Sequence, residues 1–143
     1  MHKQAINLLK NLDRHILITG ETGTGKSTLL AELRIDDNDS KYYHFPEINS
    51  GKQNWALCDE NFDDFDFLVA PEKTLILDGV AIGENLEGSK VIRFIKTARK
   101  HGKRLIVVTF PSDGDRIKPL FGAIITLSGG INGERTCEVE ILS

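Results

Sequence analysis

The sequence predicts an α/β fold in three layers, with a mainly parallel central sheet, helices on both of its faces and a C-terminal edge hairpin. Short apolar runs, such as residues 105–108, alternate with segments of helical periodicity. Strands that are buried on both faces of a parallel sheet form such continuous apolar runs. The 143 residues, 40% hydrophobic and 27% charged, predict one globular domain over residues 1–143.

The first half of the chain contains two expected helices and two expected strands. Residues 3–12 place apolar side chains at helical spacing, and residues 15–19 form an apolar run that suits a buried strand. A second helix is expected over residues 26–33. The aromatic-rich residues 42–45 stop at Pro46 and are expected to form the second strand.

The next expected elements are a strand at residues 74–77 and a helix over residues 89–101. Ser89 is a good N-terminal cap for this helix, and Gly102 is a good C-terminal stop. The side chains expected to face inward are Val91, Ile95 and Ala98. This helix therefore connects the third strand to the next apolar run.

Three further strands complete the expected sheet. Residues 105–109 are apolar and are stopped by Pro111, and residues 123–127 form the fifth strand. Residues 136–142 alternate in polarity and follow two glycine-containing turns, so they are expected to pair with the fifth strand at the sheet edge.

Composition excludes several classes of protein. No run of about 18 apolar residues occurs, so no membrane-spanning helix is expected. Residues 1–15 lack the apolar core of a secretory signal. Two cysteines, Cys58 and Cys137, are too few for a disulfide framework and suit the reducing cytoplasm. The net charge of -3 means that any contact with nucleic acid must be local.

A glycine-rich loop follows the first expected strand and precedes a helix. It fits G-x-x-x-x-G-K-[ST], the Walker A phosphate loop. The glycines let backbone N–H groups surround a phosphate, and the following helix adds its positive end. Lys26 would contact the β- and γ-phosphates of ATP, and Ser27 would bind Mg²⁺. The expected nucleotide-binding residues are Gly20, Glu21, Thr22, Gly23, Thr24, Gly25, Lys26, Ser27 and Thr28.

Asp78 ends the apolar run at residues 74–77 and is followed by Gly79. An aspartate at the end of a buried strand, downstream of a Walker A loop, is typical of the Walker B position that holds Mg²⁺. The alternative is an aspartate that only forms an Asp-Gly turn. With the phosphate loop upstream, we interpret Asp78 and Ser27 as the Mg²⁺ ligands.

These residues resemble the P-loop NTPases of the additional-strand, RecA-like type, and the similarity covers most of the chain. The segment 97–112 is also similar to motor ATPases of conjugation and DNA translocation. In those families a helix ends in a basic residue and glycine, and an apolar strand, a polar sensor and a proline-serine turn follow. The chain departs from this pattern in two places. The usual glutamine sensor is missing, with Phe110 after Thr109, and Gly79 stands where many such ATPases carry a catalytic glutamate.

The resemblance implies further catalytic residues. Glu47 is the first candidate for the carboxylate that activates water and Glu84 the second, although either can be a solvated loop acid. Thr109 would sense the γ-phosphate from a strand between the Walker A and Walker B strands, although a threonine there also fits plain β-propensity. Arg116 matches an arginine finger that acts on a neighbouring subunit, which implies a homo-oligomer.

Residues 90–104 contain seven of the 18 basic residues, and no acid occurs between Gly88 and Ser112. Four of the basic residues recur at helical spacing and are expected to share one face: Lys90, Arg93, Lys96 and Lys100. Such a face can contact nucleic-acid phosphates. The alternative is a solvated face that pairs with the acidic segment 59–66, within or between subunits.

The function predicted by these features is a Mg²⁺-dependent ATPase that couples hydrolysis to work on DNA or on a transfer or secretion partner. Two alternatives remain. Residues 75–79 are similar to the strand ending of nucleotide kinases, although no arginine-rich lid segment is present. The absence of a glutamate after Asp78 favours a nucleotide-binding accessory protein that lacks a catalytic base.

Overall fold

A computed structural model describes residues 3–21, 26, 28–31, 39–44, 71–79, 90–129, 134 and 136–142. Within these residues, one sheet has the strand order β2-β3-β4-β1-β5-β6. Its strands are β1 (Ile16–Gly20), β2 (Ser40–His44), β3 (Thr74–Asp78), β4 (Arg104–Thr109), β5 (Ala123–Ser128) and β6 (Thr136–Ile141). β1 to β5 run parallel, and β6 pairs antiparallel with β5. The predicted parallel sheet and its antiparallel edge strand are confirmed.

Helices cover both faces of this sheet. They are α1 (Lys3–Asn11), α2 (Lys90–Ala98) with the 3-10 turn Arg99–His101, and α3 (Pro111–Ile117) with the 3-10 turn Lys118–Leu120. Lys26 and residues 28–31 are helical as well, in agreement with the expected helix after the loop. The other residues of that expected helix lie outside the described part of the chain.

The strand side chains alternate between two buried apolar clusters, because successive residues of a strand point to opposite faces. One cluster packs alternate strand residues against α2 and α3 and includes Leu17, Leu77, Phe94, Ala98, Val107 and Ile117. The other packs the intervening residues against α1 and residues 28–31 and includes Leu9, Ile16, Ile18, Leu29, Ile76 and Val108. The three layers expected from the sequence are therefore present.

The structure adds a helix that the sequence prediction lacks. Pro111 follows β4 as expected, but it also occupies the first turn of α3, where the missing N–H of proline costs nothing. Gly114 interrupts the helical pattern of this segment. The position has no room for a larger residue, because an added Cβ would lie 2.4 Å from Thr19 Cγ2. α3 thus packs closely on β1.

The inward face of α2 is broader than predicted. Ile92 and Phe94 are buried beside Ile95 and Ala98, whereas the side chain of Val91 lies outside the described residues. An apolar stripe that includes Phe94 widens the contact of α2 with the sheet.

β6 forms one edge of the sheet. Cys137 and Val139 are partly buried against the cluster beneath α1, while Glu138 and Glu140 on the opposite side are exposed. Carboxylates on the free side of an edge strand are common, because charge discourages pairing with another strand.

His15 joins two elements at the start of β1 and is 3% exposed. The backbone N–H of Leu105 donates to His15 Nδ1 at 3.0 Å. Nε2 then carries the proton and donates to the carbonyl oxygen of Ile95 at 3.1 Å. Burial lowers the pKa of His15, the bond to Ile95 partly opposes this, and the charge of Arg99 lowers the pKa further. The folded protein therefore holds His15 as the neutral ring.

We expect stability to fall as the pH drops through the ordinary histidine pKa of about 6.5, because His15 then binds a proton in the unfolded chain but not in the folded one. Above that pH the ring is neutral in both states and contributes no pH dependence. One titrating group can change the free energy of unfolding by at most about 1.4 kcal/mol per pH unit. Urea unfolding at roughly pH 7.5, 6.5 and 5.5 measures it.

His15→Gln should be less stable at neutral pH but should show a flatter pH dependence. His101→Gln is the matched control, since His101 is exposed and its replacement should leave the slope unchanged. An identical slope in wild type and His15→Gln would contradict the neutral buried ring.

Candidate functional site

The candidate site lies at the carboxyl end of the parallel strands. β4 lies between β1 and β3, so the additional strand expected between the Walker A and Walker B strands is present. In the sheet register, Thr19 of β1 aligns with Thr109, and Asp78 of β3 aligns with Val108. Because parallel strands end at one edge, Gly20, Asp78 and Thr109 meet where open α/β sheets bind their ligands.

Lys26 lies at this edge and is partly buried. Its Nζ donates a hydrogen bond to the carbonyl oxygen of Gly20, and it lies 4.6 Å from the centre of the Phe110 ring. Burial lowers the pKa of the Lys26 ammonium, while the negative charges of Asp78 and Glu21 oppose that change. The lysine of the loop and the acid of β3 thus interact electrostatically across the end of β4.

Asp78 is partly buried at the end of β3. The Tyr42 hydroxyl of β2 donates a hydrogen bond to Asp78 Oδ2. Tyr42 aligns with Ile76 in the parallel register, so its side chain shares a face with Asp78 and reaches along the strand to the carboxylate. This bond orients the carboxylate through Oδ2.

Sequence reasoning missed both Tyr42 and Phe110 as site residues. Tyr42 was apparent only as a strand-forming aromatic residue, because its partner depends on which strand lies beside β3. Phe110 is 39% exposed, and its contact with Lys26 places it at the site. The signal available in the sequence was a large aromatic residue directly after the polar end of a strand. A cation above an aromatic face stabilises a folded protein by about 0.5–2 kcal/mol.

Thr109 is 2% exposed at the carboxyl end of β4. It lies on the strand beside the site, as the sequence predicts, and its role as a γ-phosphate sensor stays a prediction. Arg116 lies in the last turn of α3, where its Nη1 is 3.6 Å from Asp113 Oδ1. Its role towards a neighbouring subunit likewise stays a prediction.

The strand β3 ends in a tight turn. Gly79 has a φ of 88°, a left-handed conformation that glycine adopts without the strain of a side chain. Its N–H donates to the carbonyl oxygen of Val108 at 3.0 Å. The backbone here therefore favours glycine at the position where the resemblance would place a catalytic glutamate.

Other sequence-predicted site residues are placed as follows. Glu21 and Thr28 are exposed, beside the loop. The predicted residues outside the described part of the chain are Thr22, Gly23, Thr24, Gly25, Ser27, Glu47 and Glu84. Among the described residues, no group of three or more His, Cys, Asp or Glu side chains forms a metal site.

The basic face predicted over residues 90–104 is partly described. Lys96 and Lys100 are exposed, as that prediction requires. The side chains of Lys90 and Arg93 and the acidic segment 59–66 lie outside the described residues. No helix in the described part of the chain is long and apolar enough to cross a membrane.

Comparison with known proteins supports the fold. The chain is similar to the N-terminal domain of zonular occludens toxin from Neisseria meningitidis, with a TM-score of 0.60 and 19% identity over 90% of this chain and 84% of that one. It is also similar to a Pif1 helicase from a structure of DNA unwinding at forked duplex DNA, with a TM-score of 0.50 and 13% identity over 82% of this chain and 36% of that one. These similarities support the fold alone, a mostly parallel six-stranded sheet with helices on both faces. No protein-family model and no curated protein sequence matches the chain.

We expect Tyr42→Phe to weaken Mg²⁺-dependent nucleotide binding several-fold and to leave Mg²⁺-free binding unchanged. The reason is that the phenol hydroxyl orients the Asp78 carboxylate, and a carboxylate that loses this bond is less well placed for a cation. Titration with a fluorescent ATP analogue, with and without Mg²⁺, measures both affinities.

Tyr43→Phe is the matched control, because Tyr43 is the adjacent residue of β2 and packs on the opposite face of the sheet. Equal effects of the two substitutions would mean that Tyr42 supports only the fold.

Proposed function

We propose that this protein binds Mg²⁺-ATP at the carboxyl end of the sheet and hydrolyses it. The observation that carries the proposal is the placement of opposite charges at this edge, where Lys26 of the phosphate-loop motif donates a hydrogen bond to Gly20 at the end of β1, and Asp78 ends β3. A lysine in the helical segment that follows β1 and an aspartate at the end of β3, with β4 between the two strands, are the arrangement that a nucleoside triphosphate and its cation require.

The donor set fits a magnesium ion. Asp78 offers a carboxylate oxygen at the edge of the sheet, and Ser27 of the motif offers a hydroxyl; both are hard oxygen ligands of the kind that Mg²⁺ prefers. A bound Mg²⁺ would supply positive charge beside the phosphate oxygens. Lys26 would add a second positive charge, and a phosphate loop of this sequence would add the dipoles of its backbone N–H groups.

The remaining predicted residues complete the proposal. Glu47 or Glu84 would orient the attacking water, and Thr109 would contact the γ-phosphate from the end of β4. Arg116 would act on the site of a neighbouring copy, and its side chain, which is 34% exposed, is accessible for such a contact. Hydrolysis would then require a homo-oligomer.

The finer role we propose is work on DNA or on a transfer partner in the cytoplasm, with residues 1–143 acting as one nucleotide-binding domain. Its support is the similarity of residues 97–112 to conjugation and DNA-translocating motors and the exposed basic residues Lys96 and Lys100. Cys137 is a free thiol, which is the ordinary state of cysteine in a reducing compartment.

A nucleotide-binding protein without turnover is the second candidate. The left-handed Gly79, where many such ATPases carry a glutamate, favours it. Steady-state phosphate release, measured with and without single-stranded DNA, separates the two candidates. Turnover that rises with DNA supports the motor role, whereas tight Mg²⁺-ATP binding with no release under either condition supports the accessory role.

Lys26→Ala should abolish tight Mg²⁺-ATP binding without unfolding the protein, because the ammonium supplies a point charge to the phosphates.

Asp78→Asn should weaken Mg²⁺-dependent binding more than Mg²⁺-free binding, since the amide keeps the shape but loses the charge. Isothermal titration with and without Mg²⁺ measures both.

Lys96→Ala is the control for loss of one positive charge, as Lys96 is exposed on α2. Unchanged affinity in Lys26→Ala would remove the basis of the nucleotide site. Equal losses with and without Mg²⁺ in Asp78→Asn would make Asp78 a structural residue.

Glu47→Gln and Glu84→Gln should identify the residue that activates water. The variant of the true base should lose about 100-fold or more in turnover while it keeps its affinity for ATP, and the other should resemble wild type. Single-turnover phosphate release and nucleotide titration measure the two quantities. If an active protein retains full turnover in both variants, the base lies elsewhere.

A further inference from the structure

A basic groove lies at the opposite end of the sheet from the phosphate loop. Two adjoining cavities, of about 310 Å³ and 170 Å³, share Asp13, Lys73 and Arg104 in their walls. These residues precede or begin β1, β3 and β4, so the two cavities form one groove along the amino ends of the strands. With about 3.3 Å per residue, a strand separates this amino-end groove from the nucleotide site by roughly 15 Å.

Positive charge dominates the walls of the amino-end groove. The basic residues are Lys10, Arg14, Lys73, Arg99, Lys103 and Arg104, against the acidic residues Asp13 and Asp39. Both acids are engaged around Lys73: Asp39 Oδ1 accepts from the Lys73 backbone N–H at 3.0 Å, and Asp13 Oδ1 lies 3.6 Å from Lys73 Nζ. The walls thus carry six basic residues against two acidic ones, and this excess of positive charge sets the potential of the groove.

Several of these cations are held in place by backbone carbonyl groups. Arg104 is 7% exposed; its Nη1 donates to the carbonyl oxygen of Leu12 at 2.8 Å, and its Nε donates to Thr74 Oγ1 at 3.1 Å. Lys103 Nζ donates to the carbonyl oxygen of Glu72 at 2.8 Å. These bonds to carbonyl and hydroxyl groups orient the cations within the groove.

Arg14 is positioned in the same way. Its Nη1 donates to the carbonyl oxygen of Leu142 at 2.8 Å. Its stem crosses Gly122 so closely that an added Cβ there would lie 2.4 Å from Arg14 Cδ. Fixed guanidinium groups lose little conformational freedom when they bind an anion, and they match the oxygens of a phosphate in geometry.

The groove offers little to an apolar or aromatic ligand. In the walls of the two cavities, Leu12 is the one residue with an apolar side chain, and His15 is the one residue with an aromatic ring. Both nitrogens of His15 are occupied by the backbone. Stacking of nucleobases needs exposed aromatic faces, so the chemistry of the groove suits phosphate groups and not bases.

We propose that the amino-end groove binds phosphate groups, supplied by a nucleic-acid backbone or by a free phosphate compound, as a site separate from the phosphate loop. The larger cavity has the size of a small-ligand pocket, and the smaller one adjoins it through the three shared wall residues. Contacts of this kind fix position without reading sequence. The inference does not depend on ATP hydrolysis, because none of its residues belongs to the proposed nucleotide site.

The test compares two double variants of equal charge in the same segment of the chain. Arg99→Gln with Lys103→Gln removes two cations from the groove, whereas Lys96→Gln with Lys100→Gln removes two exposed cations that do not line it. All measurements are made in a Lys26→Ala background, so that the phosphate loop contributes little. The probe is a fluorescent oligothymidylate of about 20 nucleotides, with inorganic pyrophosphate as competitor.

The groove variant should lose about tenfold or more in affinity at low salt, and the slope of log K against log salt should fall by about 0.7 per lost contact. Lys96 and Lys100 belong to the basic face that is proposed to contact DNA, so their variant should lose some affinity for the oligonucleotide, but clearly less than the groove variant. Its affinity for pyrophosphate should remain within about twofold of that of its parent protein. Direct pyrophosphate binding with the same dependence on Arg99 and Lys103 would identify small phosphate compounds as a source. Oligonucleotide binding that pyrophosphate does not displace would identify the nucleic-acid backbone.

Equal losses in the two double variants would overturn the proposal in favour of a diffuse effect of net charge. A larger loss in the control would assign binding to the exposed face of α2, and no binding of either probe at low salt would also overturn the groove. Circular dichroism checks that each variant folds. Arg14→Gln provides a second groove variant that changes neither α2 nor β4.

Discussion

The position of β1 is the constraint on which the rest of the structure depends. Every residue of β1 is buried, and the strand pairs in parallel with β4 on one side and with β5 on the other. A strand with neighbours on both edges and helices on both faces has no freedom to shift by one residue, because such a shift would turn its apolar side chains to the wrong cluster. The end of β1 at Gly20, and with it the start of the loop, is therefore fixed.

Electrostatics at the two ends of the sheet follow from this rigid frame. At the carboxyl end, a partly buried lysine interacts with an aromatic ring, a carbonyl oxygen and an aspartate, so that its charge is held within the site. At the amino end, arginine and lysine side chains bind carbonyl groups of the loops. The same fold thus presents cations at both ends of the described sheet, and at the carboxyl end the partly buried lysine feels the negative charge of Asp78 at the end of β3.

Much of the fold could be predicted from the sequence because its signals are local. The apolar runs of β1, β3 and β4 are continuous, and parallel strands buried on both faces leave that pattern. The phosphate-loop motif located Lys26, and the end of the apolar run at residues 74–77 located Asp78. α3 could not be predicted, since Gly114 breaks its periodicity for a reason that lies in another element, the contact with Thr19.

The partners of the site residues were likewise beyond the sequence. Tyr42 touches Asp78 only because β2 pairs with β3 in one register, and Phe110 meets Lys26 across the end of the sheet. Such contacts join residues 36 and 84 positions apart in the chain. Local pattern predicts which strands exist and which faces are apolar, whereas long-range pairing decides which polar side chains come together.

The acidic side of β6 has a consequence for the behaviour of the protein in solution. The exposed Glu138 and Glu140 stand beside the free edge of the sheet, next to Ile141, which is 60% exposed. Their negative charges oppose the edge-to-edge approach of a second molecule, because the glutamates of the two molecules would repel each other. Replacing both glutamates by alanine would leave the exposed Ile141 beside the unpaired backbone groups of β6, so that two molecules could associate through this edge more easily.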